Sequence, residues 1–250
     1  IHFRMNFIKD LILSPGTNII DEYAFQDCSA MTSATIPDKV KFLGAGSFYG
    51  CSKLILVTIE GPISILNNIT FHSCYKLTSV EIPNSVISIG HSAFFCCHSL
   101  KNFKIPDRVT SIGYEAFRGC TSLKKVMIPE GIKTISEATF QQCYALERID
   151  LPNSLTSIKR EAFFKCRSLM TLIIPDSVTS IRGYAFEGCT SLARVTVSET
   201  VATIGPAAFG KCHSLATLLV QPAAEDDGDA AESSSAPRRS FFDCCDGSEK

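Results

Sequence analysis

Nine cysteines recur at a spacing of 23 residues, and thiols in such a register could bind metal, form disulfides or pack as small apolar side chains. They are Cys28, Cys51, Cys74, Cys97, Cys120, Cys143, Cys166, Cys189 and Cys212. Zinc needs ligands that converge tetrahedrally, usually from close C-x-x-C pairs, so one thiol per repeat predicts no metal site. Disulfides between adjacent repeats are allowed by a strand separation of about 5 Å. Because nine is odd and cysteine is often buried, the pattern favours a buried structural column, with disulfides as the alternative.

The other residues that could do chemistry are scattered through the repeat. His2, His72, His91, His98 and His213 occupy different repeat positions, except for the last two, which lie five repeats apart. The sequence contains no GxSxG, HExxH or glycine-rich phosphate loop. We therefore predict no catalytic residues, no cofactor and no enzymatic activity.

A second column explains how the thiols are positioned. A phenylalanine stands three residues before every one of these cysteines, at Phe25, Phe48, Phe71, Phe94, Phe117, Phe140, Phe163, Phe186 and Phe209. A fixed period of this length is typical of a solenoid, in which each unit buries its apolar face only against its neighbours. We interpret the phenylalanines as core residues, because truncating one buried ring to alanine costs about 3–5 kcal/mol.

Each unit contains a predicted strand, a turn and an outer segment. In Leu123–Ile128 the apolar residues at the first, fourth and sixth places have the two-residue alternation of a strand, and Pro129 ends it. A second apolar pair follows at Ile132 and Ile135. For the segment that holds the Phe and Cys, EAFRGC at 115–120, we predict a short helical turn.

Composition separates the chain into three parts. We assign 1–7 as an incomplete repeat, 8–222 as the solenoid and 223–250 as a disordered tail. The tail holds eight acidic and three basic residues, and the remaining 222 residues hold 21 basic and 17 acidic ones. The sequence contains no run of 18 apolar residues, so it predicts no transmembrane helix. The opening IHFRMNF has no signal pattern, so we expect a fragment or a processed chain.

The frame L-x-x-V-x-I-P-x-x-V-x-x-I-x-x-x-A-F-x-x-C resembles the BspA-type leucine-rich repeat family from about Ile8 to Gln221. The resemblance implies an α/β solenoid: a right-handed superhelix of about nine to ten coils, with a concave parallel sheet and short helical turns outside. It also implies a protein-binding or adhesion surface. The asparagine expected at the ninth place is replaced, for example by Ser85, Arg108 or Ser154, so the turn carbonyls need other donors.

The side chains at the outward strand positions do not pack in the core, so these positions form the candidate ligand-binding face. We predict that it comprises Lys101, Lys104, Lys124, Lys125, Met127, Arg148, Asp150, Thr171, Ile173, Arg194 and Thr196. A merely solvated sheet face is the alternative. Basic, methionine and apolar residues together favour a protein or peptide ligand. The acidic residues Glu81, Glu147 and Asp150 interrupt the positive field, and aromatic residues are scarce, so we predict no nucleic-acid binding.

The chain is expected to be a monomeric, non-enzymatic scaffold. The alternatives are a cell-surface adhesin and an accessory domain of a larger, possibly catalytic protein. Membrane association would require lipidation of Cys244 and Cys245. A column of buried thiols slightly favours the cytoplasm over the cell surface.

Overall fold

Parallel strands in two rows follow the predicted period. The computed structural model describes residues 7–222. We call the row of longer strands the front sheet: Asp10–Leu11, Ser33–Ile36, Leu56–Ile59, Ser79–Glu81, Lys125–Met127, Arg148–Asp150, Thr171–Ile173, Arg194–Ser198 and Thr217–Gln221. We call the other row the second sheet: Ile19–Ile20, Phe42–Leu43, Ile65–Leu66, Ser88–Ile89, Ser111–Ile112, Thr134–Ile135, Ser157–Ile158, Ser180–Ile181 and Thr203–Ile204. The chain is thus a parallel β-solenoid of about nine coils.

Every strand pairing joins residues 23 apart. In the front sheet Ser33 pairs with Leu56, and Leu56 with Ser79; in the second sheet Ser157 pairs with Ser180. The side chains alternate as expected, since Val126 is buried between the exposed Lys125 and Met127. The repeat length therefore fixes the register of both sheets.

The outer segments are not helical, so the prediction of short helical turns was wrong. Among residues 7–222 the structure contains no helix, and hence none long enough to cross a membrane. The N–H groups of Glu115, Phe117 and Gly119 donate instead to the next coil, at 2.8–3.0 Å from the carbonyls of Glu137, Thr139 and Gln141. Those donors are therefore unavailable for helical bonds within the segment.

The outer segments contain left-handed backbone conformations, which are incompatible with a helix. Each outer segment places two residues at positive φ, four apart, on either side of its phenylalanine. Glu115 at 54° and Gly119 at 73° flank Phe117, and Glu161 at 56° and Lys165 at 60° flank Phe163. Non-glycine residues in this region cost about 1–2 kcal/mol each and cannot continue a right-handed helix. The outer segment therefore turns at both left-handed residues, and its phenylalanine ring lies in the core.

The phenylalanines form one stack along the solenoid axis. Neighbouring rings from Phe25 to Phe209 have centroids 5.1–5.5 Å apart. The rings from Phe48 to Phe186 are completely buried. This offset stacking adds to the burial of each ring and confirms the predicted core column.

The cysteine column is also buried, and it makes a bond that the sequence did not indicate. Each thiol from Cys51 to Cys212 donates to the carbonyl of the phenylalanine 26 residues earlier, at 3.1–3.3 Å. The seven column thiols from Cys51 to Cys189 are free and fully buried. The structural interpretation of this column therefore holds for them, and the disulfide alternative does not.

In three coils a serine hydroxyl takes over the role of the missing asparagine at the ninth place. The Oγ atoms of Ser85, Ser154 and Ser177 donate to carbonyls 22 residues earlier, at 2.6–2.9 Å. These short bonds satisfy turn carbonyls of the preceding coil, as buried backbone acceptors require.

Residues 1–6 and the tail 223–250, including Cys244 and Cys245, lie outside the described residues, so the assignments of these parts stay predictions.

Candidate binding face

The front sheet presents the predicted residues at its surface. Lys101, Lys104, Lys124, Lys125, Met127, Arg148, Thr171, Ile173 and Arg194 are exposed, whereas Asp150 and Thr196 are half-buried. Because their inward neighbours are held in the core, the backbone of these strands is rigidly placed. Val126 and Leu172, for example, are each only 2% exposed.

Strand register brings these side chains into two columns. Lys125 pairs with Arg148, and Met127 with Asp150. Two coils further on, Thr171 pairs with Arg194, and Ile173 with Thr196. Successive members of a column are therefore about 4.8 Å apart, the ordinary strand spacing. The predicted face is physically continuous within each of these pairs of coils.

Acidic residues neutralise part of the basic charge. Asp150 accepts from the Nε of Arg148 at 2.7 Å and lies 3.9 Å from the Nζ of Lys125. Glu147 lies 3.6 Å from the Nζ of Lys124. Within residues 7–222, Lys101, Lys104 and Arg194 form no ion pair. The local field is mixed, with paired charges in the middle and free cations on both sides.

Large apolar side chains stand beside these charges. Met127 is 63% exposed, Met170 53% and Ile173 73%. Leu219 extends the same column towards the last coil and is 42% exposed. Apolar residues held on a rigid sheet among paired charges have the composition of a protein interface, with apolar anchors and a polar rim.

The front sheet is interrupted twice. Its hydrogen-bonded pairing stops between Ser79–Glu81 and the next coil, where only Asn102 forms a bridge, to Lys125, and again between Arg148–Asp150 and Thr171–Ile173. At the first interruption Phe103 occupies the inward site that valine fills in both neighbouring coils. Its ring packs 4.7 Å from that of Phe94, and we attribute the break to this larger side chain. Nothing comparable explains the second.

A shallow groove follows the first interruption. It is lined by Ser79, Val80, Glu81, Ile82, Asn84, Asn102, Lys104 and Pro106. Lys104 is among the residues predicted for the binding face, but the groove itself was not predicted. Its one signal was the phenylalanine at place 103, in a series otherwise occupied by smaller aliphatic residues.

The interruptions also divide the predicted face. Lys101 and Lys104 lie in the coil bridged to Lys125, whereas Thr171–Ile173 begins a separately paired group of strands. The structure thus brings together Lys125, Met127, Arg148 and Asp150, and separately Thr171, Ile173, Arg194 and Thr196.

Burial shifts the pKa of several titratable groups among the described residues. Burial raises the pKa of the column thiols from Cys74 to Cys189, which keeps them neutral. Burial lowers the pKa of His72, whose ring stacks between Tyr49 and Phe95 at 4.9 and 4.5 Å. In residues 7–222 no three His, Cys, Asp or Glu side chains are grouped to hold a metal ion.

A 23-residue coil with one front strand, a buried leucine and stacked phenylalanines defines a leucine-rich repeat protein. The chain belongs to the BspA-type leucine-rich repeat family, whose sequence pattern matches residues 2–124 and 110–226 in 6 copies. Repeat proteins of this class are generally interaction scaffolds and typically non-enzymatic.

Solved structures support this assignment. A leucine-rich repeat protein from Bacteroides ovatus is 28% identical over 86% of this chain and 66% of its own, with a TM-score of 0.68. The leucine-rich repeat protein of T. pallidum is 28% identical over 64% of this chain and 78% of its own, with a TM-score of 0.60. The pneumococcal vaccine antigen PcpA, 21% identical over 82% of this chain and 60% of its own with a TM-score of 0.51, shares the fold alone. No curated protein matches the chain.

Proposed function

We propose that the protein is a non-enzymatic scaffold that binds a protein or peptide ligand through the front sheet. One observation carries the proposal. Met127 and Ile173, 63% and 73% exposed, occupy the same outward place in two coils that lie on either side of the second interruption. A soluble protein gains nothing in stability from exposing such side chains, whereas an interface uses them as anchors.

The neighbouring charges favour a ligand of mixed character. Asp150 holds Arg148 and Lys125 beside the apolar anchors, which keeps both cations positioned. Lys101, Lys104 and Arg194 add free positive charge around the paired centre. A ligand with acidic residues beside an apolar motif would suit this face. Its acidic residues would be attracted by the cations, because rim charges act mainly on the association rate, and its apolar motif would then pack on the anchors.

The test uses two charge-introducing double variants of equal chemistry. Met127→Glu with Ile173→Glu alters the front sheet. Ile65→Glu with Ile87→Glu alters the second sheet at Ile65–Leu66 and directly before Ser88–Ile89, and both isoleucines are 43% exposed. Partners captured by the immobilised protein are quantified by mass spectrometry, and the affinity of each is then measured. We expect the front variant to weaken binding by about 2 kcal/mol, or roughly 30-fold in Kd.

The control decides where the ligand binds. A partner that the second-sheet variant retains and the front variant loses supports the proposal. Partners lost only with the second-sheet variant, or equally with both, would place binding elsewhere and refute it. Circular dichroism of both variants must first show unchanged folding.

A further inference from the structure

The last described coil exposes apolar side chains that the preceding coil buries. Val178, Ile181, Phe186, Leu192, Val195 and Val197 are all at most 3% exposed. Their equivalents 23 residues later are Val201, Ile204, Phe209, Leu215, Leu218 and Val220, and all six are half-buried or exposed. Ile204 and Val220 each reach 46%. We call the surface formed by these six residues the open end.

The open end also lacks the hydrogen bonds that join earlier coils. Thr217–Gln221 pairs on one side with Arg194–Ser198, and within the described residues it pairs with no further strand. The Phe186 carbonyl accepts from the Cys212 thiol at 3.2 Å, but the described chain offers Phe209 no later thiol. An aromatic ring stacked on Phe209, a thiol donating to its carbonyl and a paired backbone segment would give this coil the contacts that the earlier coils have.

The tail contains a segment with those groups. Residues 240–245 read S-F-F-D-C-C, so Phe241 and Cys244 have the three-residue separation of every Phe and Cys in the solenoid. The coil at 47–51 has the same S-F-x-x-C pattern and buries its phenylalanine and cysteine completely. The segment nevertheless stands 32 residues after Phe209 instead of 23. It therefore cannot be a regular next coil.

We propose that residues 240–245 dock on the open end of their own chain. Phe241 extends the ring stack over Phe209, and the Cys244 thiol donates to the Phe209 carbonyl. The acidic stretch 223–239, about 17 residues, acts as a tether. A flexible linker of that length has a root-mean-square span of about 20–25 Å, and tethering gives the segment a millimolar effective concentration. A second copy of the chain could present Phe25 and Cys28 to the same surface, but only at the concentration of the free protein, whereas the tethered segment is always present.

Hydrogen exchange of the full chain tests the docking. Phe241→Ser with Phe242→Ser removes the proposed anchors, and Arg238→Ser with Arg239→Ser changes the tether beside them as a matched control. We expect the amides of Thr203–Ile204 and Thr217–Gln221 to exchange about tenfold faster in the phenylalanine variant only. Amides of Lys125–Met127, far along the solenoid, should not change. A peptide spanning 238–247, added to that variant, should restore the slow exchange.

Thiol labelling gives a second, independent measurement. In the native full chain Cys244 should react more slowly than Cys245, and denaturation should remove the difference. Equal exchange of the open end in the parent chain and the phenylalanine variant would overturn the proposal. Protection that disappears on dilution would overturn it too, because a second copy would then be the cover. Neither result depends on what the front sheet binds.

Discussion

The Cys120 thiol donates to the carbonyl of Phe94, 26 residues earlier, at 3.2 Å. The same bond recurs from Cys51 through Cys212, so each of these thiols donates to a backbone carbonyl of the preceding coil. The Phe94 carbonyl also accepts from the Cys97 N–H at 3.1 Å, so the thiol supplies its second hydrogen bond. Each of these cysteines therefore contributes a hydrogen bond as well as a small apolar side chain.

Replacing Cys120 should separate these two contributions. Cys120→Ala removes the thiol donor and leaves the Phe94 carbonyl with the Cys97 N–H alone. We expect the lost hydrogen bond and the small cavity to lower the free energy of unfolding by about 1–2 kcal/mol. Cys120→Ser keeps a donor and should be no more destabilising than alanine. Urea unfolding followed by circular dichroism measures both. If serine were clearly worse than alanine, packing alone would explain the column. Cys96→Ala, at a half-buried neighbouring thiol, should change stability by only about 0.5 kcal/mol.

Alkaline pH should destabilise the protein through the same column. Burial holds the pKa of the thiols from Cys74 to Cys189 above the ordinary value of 9.0. The unfolded chain therefore loses these protons first, so the native state binds more of them above pH 9. Stability is retained below about pH 9 and falls as the pH rises, by up to about 1.4 kcal/mol per pH unit for each thiol. Unfolding curves between pH 8 and 10.5 measure the slope.

The control for this experiment is Cys120→Ala. It removes one titrating thiol and leaves every lysine and tyrosine in place, so the slope should decrease by about one proton. An unchanged slope would assign the alkaline effect to other groups.

The phenylalanine stack should dominate stability. Phe117 is fully buried between the rings of Phe94 and Phe140, with centroids 5.2 and 5.4 Å away. We expect Phe117→Ala to cost about 3–5 kcal/mol. Tyr114→Ala removes a ring of similar size that is 49% exposed, and it should cost far less. Thermal unfolding of the two variants gives the comparison, which comparable losses would contradict.

Glycine should be preferred where the backbone is left-handed. Lys165 has φ 60°, and the equivalent place holds Gly50, Gly119 and Gly188 in other coils. At Lys165 the glycine variant should therefore be more stable than the alanine variant, by roughly 1 kcal/mol. At Lys133, which is exposed and not at positive φ, alanine should be the more stable, by about 0.5–1 kcal/mol. The same order at both sites would exclude backbone strain as the cause.

The periodic features were predictable because each is set by residue type at a fixed interval. The core column from Phe25 to Phe209, the strand alternation at Lys125–Met127 and the parallel pairing all follow from a 23-residue period. The family assignment rests on the same frame. A period that repeats in about nine coils makes the assignment independent of any one ambiguous unit.

Other features depended on geometry that residue type does not specify. Glu115 and Lys165 are ordinary helix formers, yet they occupy left-handed conformations, in which their own N–H groups donate to carbonyls of the next coil. The thiol–carbonyl bonds depend on a 26-residue offset that appears only when the coils stack. The first interruption of the front sheet came from one larger side chain, Phe103, whose effect on strand pairing has no periodic signature, and the second has no comparable cause.

Each bond between coils reaches only one unit back or forward. Strand pairs join residues 23 apart, thiols reach 26 back, and ninth-place hydroxyls reach 22 back. Duplicating or excising one whole unit, such as residues 123–145, would leave every new junction with partners of the same kind. An insertion of any other size within a coil would misalign all three ladders at once. Such a protein can change length over evolutionary time by modular gain and loss, with the surface residues of each unit free to diverge.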